Sequence, residues 1–312
     1  MEYRAFQYGV DDCYINDILA GIEVACRGEV RAEEWFHQRF EQNPLGRAIL
    51  ICAFDSNKLV ACVTVERVPF ERAGQTYVGG YISNSFIHEA YRSPEIMPML
   101  LKLAETESKH EGLDVLYSFD KSNIATDISK MGWIFEEIQM RYRLYPIGGV
   151  LRSLFKLIDM SKPFVSELQD DKSSFGNPLL EDVLIENPEM SYWTWRSGIS
   201  DKKCVVINDD RVFAIAVVGH RGKRVREAHI CYMASKGKNI NLQQCRAEVA
   251  QRLSEKIDVN VVSCADELGY VPKDNSLVRT QFLNCCYKWL GNPESGVMTK
   301  FGNVLCQMGC IS

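Results

Sequence analysis

Tyr81-Ile82-Ser83-Asn84-Ser85-Phe86-Ile87, succeeded shortly by Tyr91-Arg92-Ser93-Pro94-Glu95, is the stretch on which the reading of this chain turns. The first seven residues read as a strand, the next five as a tight turn, and the run from Ile96 as an amphipathic helix. In that helix Ile96, Met99, Leu100, Leu103 and Ala104 share one face, Lys102, Glu105, Ser108 and Lys109 the other, and Gly112 closes it. Pro98 falls in the first turn, where a missing N–H is tolerated. A second strand, Val115-Leu116-Tyr117-Ser118-Phe119, comes next, then Asn123 and a short helix ending at Gly132-Trp133. A strand that runs into a turn at a helix N-terminus leaves several backbone N–H groups unpaired and pointing one way. Such an arrangement can cradle a phosphate.

Upstream, Tyr3 to Gln7 reads as a short strand and Ile15 to Val24 as a helix, with Ile15, Ile18, Leu19, Ile22 and Val24 near one face. Ala32 to Gln42 is a second helix, ended by Asn43-Pro44. The apolar runs Ala48–Phe54 and Leu59–Val65 flank Asp55-Ser56-Asn57-Lys58, which is hairpin chemistry. A further turn at Glu71-Arg72-Ala73-Gly74 leads into the strand that ends at Ile87.

The 312 residues leave room for two domains, and 46% hydrophobic with 25% charged residues is ordinary for a soluble globular protein. No apolar run approaches the roughly 20 residues that span a bilayer, and Met1-Glu2-Tyr3-Arg4-Ala5 lacks the layout of a secretory signal. A cytoplasmic location is the expectation. Thirty-six basic against 41 acidic residues, a net charge of −5, argue against a general nucleic-acid binder. The basic run His220–Arg226 sits between two apolar strands and reads as a solvated hairpin turn. Twelve cysteines, spaced without histidine pairs, read as reduced structural thiols, and no metal site is expected.

A weak internal repeat is present. Trp35-Phe36-His37-Gln38-Arg39 precedes a hairpin, and so does Tyr192-Trp193-Thr194-Trp195-Arg196, ahead of Lys203–Asn208 and Val212–Val218. A strand over His229–Met233, a helix over Leu242–Ile257 and a strand over Val259–Cys264 then repeat the order of the first half. The chain divides on this reading into a domain over residues 1–146, a linker with a helical segment over 147–190, and a second domain over 191–312. Trp193, Trp195 and Trp289 are expected to pack rather than to form a sugar platform. The pairs Asp209-Asp210 and Asp266-Glu267 have nothing beside them that suggests a metal.

The strand into Phe86-Ile87-His88, the Tyr91-Arg92 turn, the helix Ile96–Glu111, the strand Val115–Phe119, Asn123 and Gly132-Trp133 together resemble the acyl-CoA-binding core of the GNAT superfamily of N-acyltransferases. The resemblance covers roughly residues 1–146. It is similar in particular to two-domain members associated with surface-polysaccharide biosynthesis, whose second unit opens on a Trp-Arg segment, here Trp195-Arg196. It implies an α/β fold of two GNAT-like domains, each a mixed, mostly antiparallel sheet flanked by helices, with the second unit degenerate. It also implies acetyl-CoA as co-substrate, bound between splayed parallel strands. The pantetheine arm would meet Phe86, Ile87 and His88. The diphosphate would meet Arg92, Ser93, Glu95, Ile96 and Met97, and Asn123 would lie near the acyl end. The catalytic expectation falls on Glu66, Ser85 and His88, with Glu66 or the nearby Glu71 as a general base, Ser83 and Ser85 lining a groove, and a small-molecule amine such as an amino sugar as acceptor.

The family turn reads Arg/Gln-x-x-Gly-x-Gly/Ala. Here Glu95 and Met97 stand at the glycine positions, Pro94 lacks an N–H, and Ile128 replaces a tyrosine that many members use as general acid. Glu95, Pro94 and Met97 favour an alternative, a non-catalytic GNAT-fold binding protein that has lost CoA. A third reading, an aminoacyl or peptidyl transferase using charged tRNA, would call for a basic docking surface that the acidity does not provide. No cofactor is expected in the second unit, which has no Arg-x-x-Gly turn.

Overall fold

The computed structural model describes residues 1–25, 32–72, 75–120, 130–146, 183–186, 192, 195–196, 203–208, 211–221, 225–235, 242–266, 277–291 and 300–301. The chain forms two compact units. The first comprises Met1–Ile138, Glu186–Ile199 and Leu283–Thr299, and the second Gln139–Ile185, Ser200–Phe282 and Lys300–Ser312.

In the first unit, strands β1 (Glu2–Ala5), β2 (Ile49–Asp55), β3 (Lys58–Arg72) and β4 (Gln75–Ile87) pair antiparallel in that order. The turn between β2 and β3 places Ser56 and Asn57 at φ 49° and 68°, the left-handed pair that a two-residue hairpin requires. Strand β2 is apolar on both faces because both are covered. Ile49, Ile51 and Ala53 enter one core cluster, while Leu50, Cys52 and Phe54 enter the other. Helix α1 (Ile15–Ala25) covers the second cluster through Ile15, Ile18, Leu19 and Ile22, as the spacing predicts, whereas Val24, expected on the same face, is exposed. The expected helix over Ala32–Gln42 is two pieces, α2 (Glu33–Phe36) and a π-helical turn His37–Glu41 that carries Arg39. Helix α3 (Ile96–His110) covers the first cluster through Ile96, Leu100, Leu101 and Ala104, and ends before Gly112 at φ 76°. Strand β5 (Val115–Asp120) lies parallel to β4. The short helix expected before Gly132 falls on 121–129, outside the described residues, and so does Asn123.

The second unit repeats this order. Strands β8 (Lys203–Asn208), β9 (Val212–Arg221) and β10 (Val225–Ser235) pair antiparallel, α4 (Leu242–Lys256) comes next, and β11 (Val261–Asp266) returns parallel to β10. Its core gathers Ala214, Ala216, Val249, Leu253 and Val262, among others. Of the basic run His220–Arg226, residues 222–224 lie outside the described residues, and Val225 of β10 lies opposite Arg221 of β9. Short strands β7 (Val183–Glu186) and β13 (Lys300–Phe301) pair in parallel.

Two strands that the sequence reading did not identify complete the sheets. The later part of β6 (Ile134–Pro146) pairs antiparallel with β11, and the later part of β12 (Leu277–Trp289) pairs antiparallel with β5. Each unit is therefore a mixed, mostly antiparallel sheet flanked by helices. The strand closing each unit comes from the other half of the sequence. No helix among the described residues is long and apolar enough to cross a membrane.

Candidate functional site

The parallel ladder between β4 and β5 is short. It joins Gly79 to Val115, Gly80 to Leu116 and Tyr81 to Tyr117, and stops there although β4 continues to Ile87 and β5 to Asp120. Past that point one side-chain link remains among the described residues, from Ser118 Oγ to Ile82 O at 3.2 Å. Gly79 and Gly80 permit the close start. A Cβ on Gly80 would sit 2.5 Å from both Leu116 and Val65, and one on Gly79 would sit 2.2 Å from the Phe70 ring. The strands are thus drawn together at one end and part toward the other. Strand β4 there offers backbone groups along the edge that faces away from β3.

Within the same stretch β4 bulges. Cys62 of β3 pairs with Phe86 and Thr64 with Ser83, so Asn84 and Ser85 together oppose the single Val63. Asn84 takes φ 46°, a left-handed conformation that asparagine tolerates better than most residues. The bulge shifts the alternation of side chains. Ser83 shares a face with Tyr81, but Phe86 rather than Ser85 continues it, which corrects the expectation that Ser83 and Ser85 line one groove together. Ser85 Oγ instead donates to Ser83 O at 3.2 Å. Phe86 is buried against α1, where its ring occupies the place a side chain on Gly21 would take, 2.3 Å from an added Cβ.

Glu66 lies opposite Tyr81 on β3 and is 2% exposed. Arg39 grips it with a two-pronged pair, Nε to Oε2 at 3.1 Å and Nη2 to Oε1 at 2.8 Å. Arg196 Nη1 adds a bond to Oε2 at 3.0 Å, and Ser83 Oγ donates to Oε1. Burial alone would push this carboxyl up, but the two guanidinium groups, then the hydrogen bonds from Arg39 and Ser83, hold it down at about 2. A carboxylate so held takes up little proton near neutral pH, so its surroundings favour an anchoring charge over the general base that the sequence suggests. Tyr81 and Tyr117 stack beside it with ring centroids 5.2 Å apart, and burial pushes the Tyr81 hydroxyl up to about 12.

Sequence reasoning did not single out Arg39 or Arg196 as site residues. The signal was there, since both are the terminal arginine of the repeated aromatic segment. Their convergence on one carboxylate depends on Arg196 packing in the first unit, beside Trp195, whose Nε1 donates to Gln38 O at 2.9 Å. Trp193 is outside the described residues.

At the far end of β4, His88 is half-buried, its amide donates to Val60 O at 2.9 Å, and its ring meets Phe86 at 5.5 Å. Ile87 and Met97 pack partly against the first core cluster, and Ile96 is buried in it. Arg92, Ser93, Pro94 and Glu95 are exposed. Tyr91 braces the turn by donating to Asp55 Oδ2 at 2.9 Å. Glu95 is the N-cap residue of α3 but makes no side-chain cap hydrogen bond, so its carboxylate does not occupy the helix amides. The first turn offers the amides of Ile96 and Met97, and Pro98 offers none. A diphosphate held there would rely on these amides and on Arg92. Among the described residues no group of three or more His, Cys, Asp or Glu side chains is placed to hold a metal ion.

No curated protein matches the chain in sequence. Among solved structures, a probable N-acyltransferase from Enterococcus faecalis superposes with a TM-score of 0.59 at 9% identity, over 93% of this chain and 73% of that one. A GCN5-related N-acetyltransferase from Anabaena variabilis gives 0.59 at 10% identity, with the same shares of 93% and 73%. The N-myristoyltransferase of Saccharomyces cerevisiae, solved with bound myristoyl-CoA, gives 0.52 at 12% identity over 97% of this chain and 88% of that one. At these identities the likeness establishes the fold, which is that of GNAT N-acyltransferases. The sequence itself matches the acetyltransferase (GNAT) family over residues 15–127.

Proposed function

We propose that the protein is an N-acyltransferase that moves an acetyl group from acetyl-CoA to the amine of a small metabolite such as an amino sugar. It would act in the cytoplasm, without a nucleic-acid or membrane partner. The observation that carries this reading is the parting of β4 and β5 beyond Tyr81 and Tyr117, with the bulge at Asn84 beside it. In the reaction the amine nitrogen bonds to the thioester carbon as the C–S bond breaks, and the leaving thiolate takes up the proton that the amine loses. The chain's part is to position and to polarise. Backbone groups of Phe86 to His88 would align the pantetheine arm, and an amide near Ile87 would donate to the carbonyl oxygen. Arg92, Ser93 and the amides of Glu95, Ile96 and Met97 would hold the diphosphate, and Asn123 would lie near the acyl end. His88, at the end of β4, would relay the proton; Ser85 and Glu66 would support the bulge.

Calorimetry with acetyl-CoA and with CoA tests the reading, together with the melting temperature in their presence. Heat and a thermal shift well below millimolar ligand are expected, and Arg92→Ala should weaken binding roughly 10-fold with folding unchanged. Silence up to millimolar ligand would favour the second reading, a GNAT-fold protein that no longer binds CoA. That reading draws support from the poor donor set at α3, where Pro98 lacks an N–H and Glu95 brings negative charge to the N-terminus.

A further inference from the structure

Arg196 is 1% exposed and uses only Nη1 on Glu66. Its other two nitrogens, Nε and Nη2, are buried without a hydrogen-bond partner among the described residues. Those two form the side-on edge of a guanidinium, with parallel N–H groups spaced to grip both oxygens of a carboxylate. Arg39 demonstrates that use in the same cluster, where its own Nε and Nη2 hold the two oxygens of Glu66. Leaving charged donors buried and unpaired is costly, because each forfeits its hydration without a substitute. Glu66 holds the guanidinium on one side through Nη1, and the phenol rings of Tyr192, Tyr81 and Tyr117 lie within electrostatic range of it. Tyr81 and Tyr117 are also the last laddered pair before β4 and β5 part, so the open fork belongs to the same corner of the unit as the cleft.

We infer that the Nε–Nη2 edge of Arg196 is a subsite for a carboxylate of the substrate. The assignment of that carboxylate to a substrate rests on the acyltransferase reading: the group belongs either to an acceptor that carries a carboxylate beside its amine or to a dicarboxylic acyl chain. A carboxylate reaching this edge leaves bulk water, where a two-pronged charged pair is strongest and discriminates most sharply against a neutral analogue. Its remaining lone pairs would face the neighbouring phenols. Glu66 has its own role here, since it orients Arg196 and prevents it from turning toward solvent.

The test compares wild type with Arg196→Lys, which keeps a cation for Glu66 but loses the fork, and with Arg196→Met as a check on folding by circular dichroism. Melting temperatures are taken first without any CoA, in the presence of amino acids, amino-sugar acids and short dicarboxylates, each beside its amide or neutral counterpart. The expected result is a shift by a carboxylate compound that its neutral counterpart does not give and that Arg196→Lys loses. Turnover is then measured in two arms, acetyl-CoA with carboxylate-bearing amines and succinyl-CoA with neutral amines. The arm that is active identifies the source, and Arg196→Lys should raise KM for it roughly 10- to 100-fold with a smaller effect on kcat. Carboxylate-dependent shifts without turnover would uphold the subsite while sinking the acyltransferase reading. Turnover of neutral substrates that is equal in wild type and Arg196→Lys, with no carboxylate-dependent shift, would overturn the subsite and leave that reading standing.

Discussion

At the scale of single residues, the Glu66 carboxylate sets the charge balance of the sheet face it occupies. Its ordinary pKa of 4.5 falls to about 2 in the folded chain. The stabilisation is therefore complete above about pH 4.5 and disappears as the pH drops through about 2, a contribution of about 3 kcal/mol at 1.36 kcal/mol per unit. Glu66→Gln removes the charge and leaves two guanidinium groups facing an amide, a change expected to cost roughly 3–5 kcal/mol at neutral pH. Urea denaturation of both proteins from pH 7 to pH 2 should show the gap narrowing as the wild-type carboxyl protonates and comes to resemble the amide. A gap of constant size would mean that folding does not lower the Glu66 pKa. Glu66 was visible in the sequence as a carboxylate on a strand, yet its environment was not. One partner lies 27 residues upstream and the other 130 downstream, and only the fold brings them together.

At the scale of elements, the sequence reading was strongest where one period repeated over many residues. Helices α1 and α3 and the β2–β3 hairpin emerged directly from apolar spacing and turn chemistry. The bulge in β4 did not, because Ser83-Asn84-Ser85 is polar throughout and carries no alternation to break. Its determinant is the left-handed backbone of Asn84, braced by the bond from Asn84 Nδ2 to Ser83 Oγ at 3.1 Å. Asn84→Val sets a β-branched side chain in that conformation and should lower stability by roughly 1–2 kcal/mol. It should also weaken the proposed acetyl-CoA binding, since relief by a one-residue slip of β4 would pull Phe86 from its place against Gly21. Asn84→Gly keeps the backbone accessible and should stay within about 1 kcal/mol of wild type. Equal melting temperatures and equal binding for Asn84→Val and Asn84→Gly would show that the bulge is not held by this residue.

At the scale of the molecule, the exchange of closing strands has a consequence that the linear reading of residues 1–146 as a domain does not contain. Strand β12 supplies the ladder partner for the whole of β5, from Asn284 opposite Asp120 to Trp289 opposite Val115. Cys286 and Leu290 enter the core cluster beneath α3. Lys288 Nζ bonds Glu105 Oε2 and Met131 O, each at 2.6 Å, and the Trp289 ring meets Tyr77 at 5.8 Å. Little in the sequence announces this pairing, because Leu277–Trp289 mixes polar and apolar residues irregularly and its partner lies far earlier in the chain. A chain ending at residue 146 would expose the edge of β5 and open that core, two conditions that promote aggregation. Such a fragment should bind a hydrophobic dye and melt without cooperativity, whereas a synthetic peptide spanning residues 277–291, added in excess, should restore a cooperative transition by pairing with β5. A fragment that melts cooperatively at the temperature of the intact first unit without the peptide would mean that β12 adds nothing to its stability, and that the opening between β4 and β5 needs only the N-terminal half.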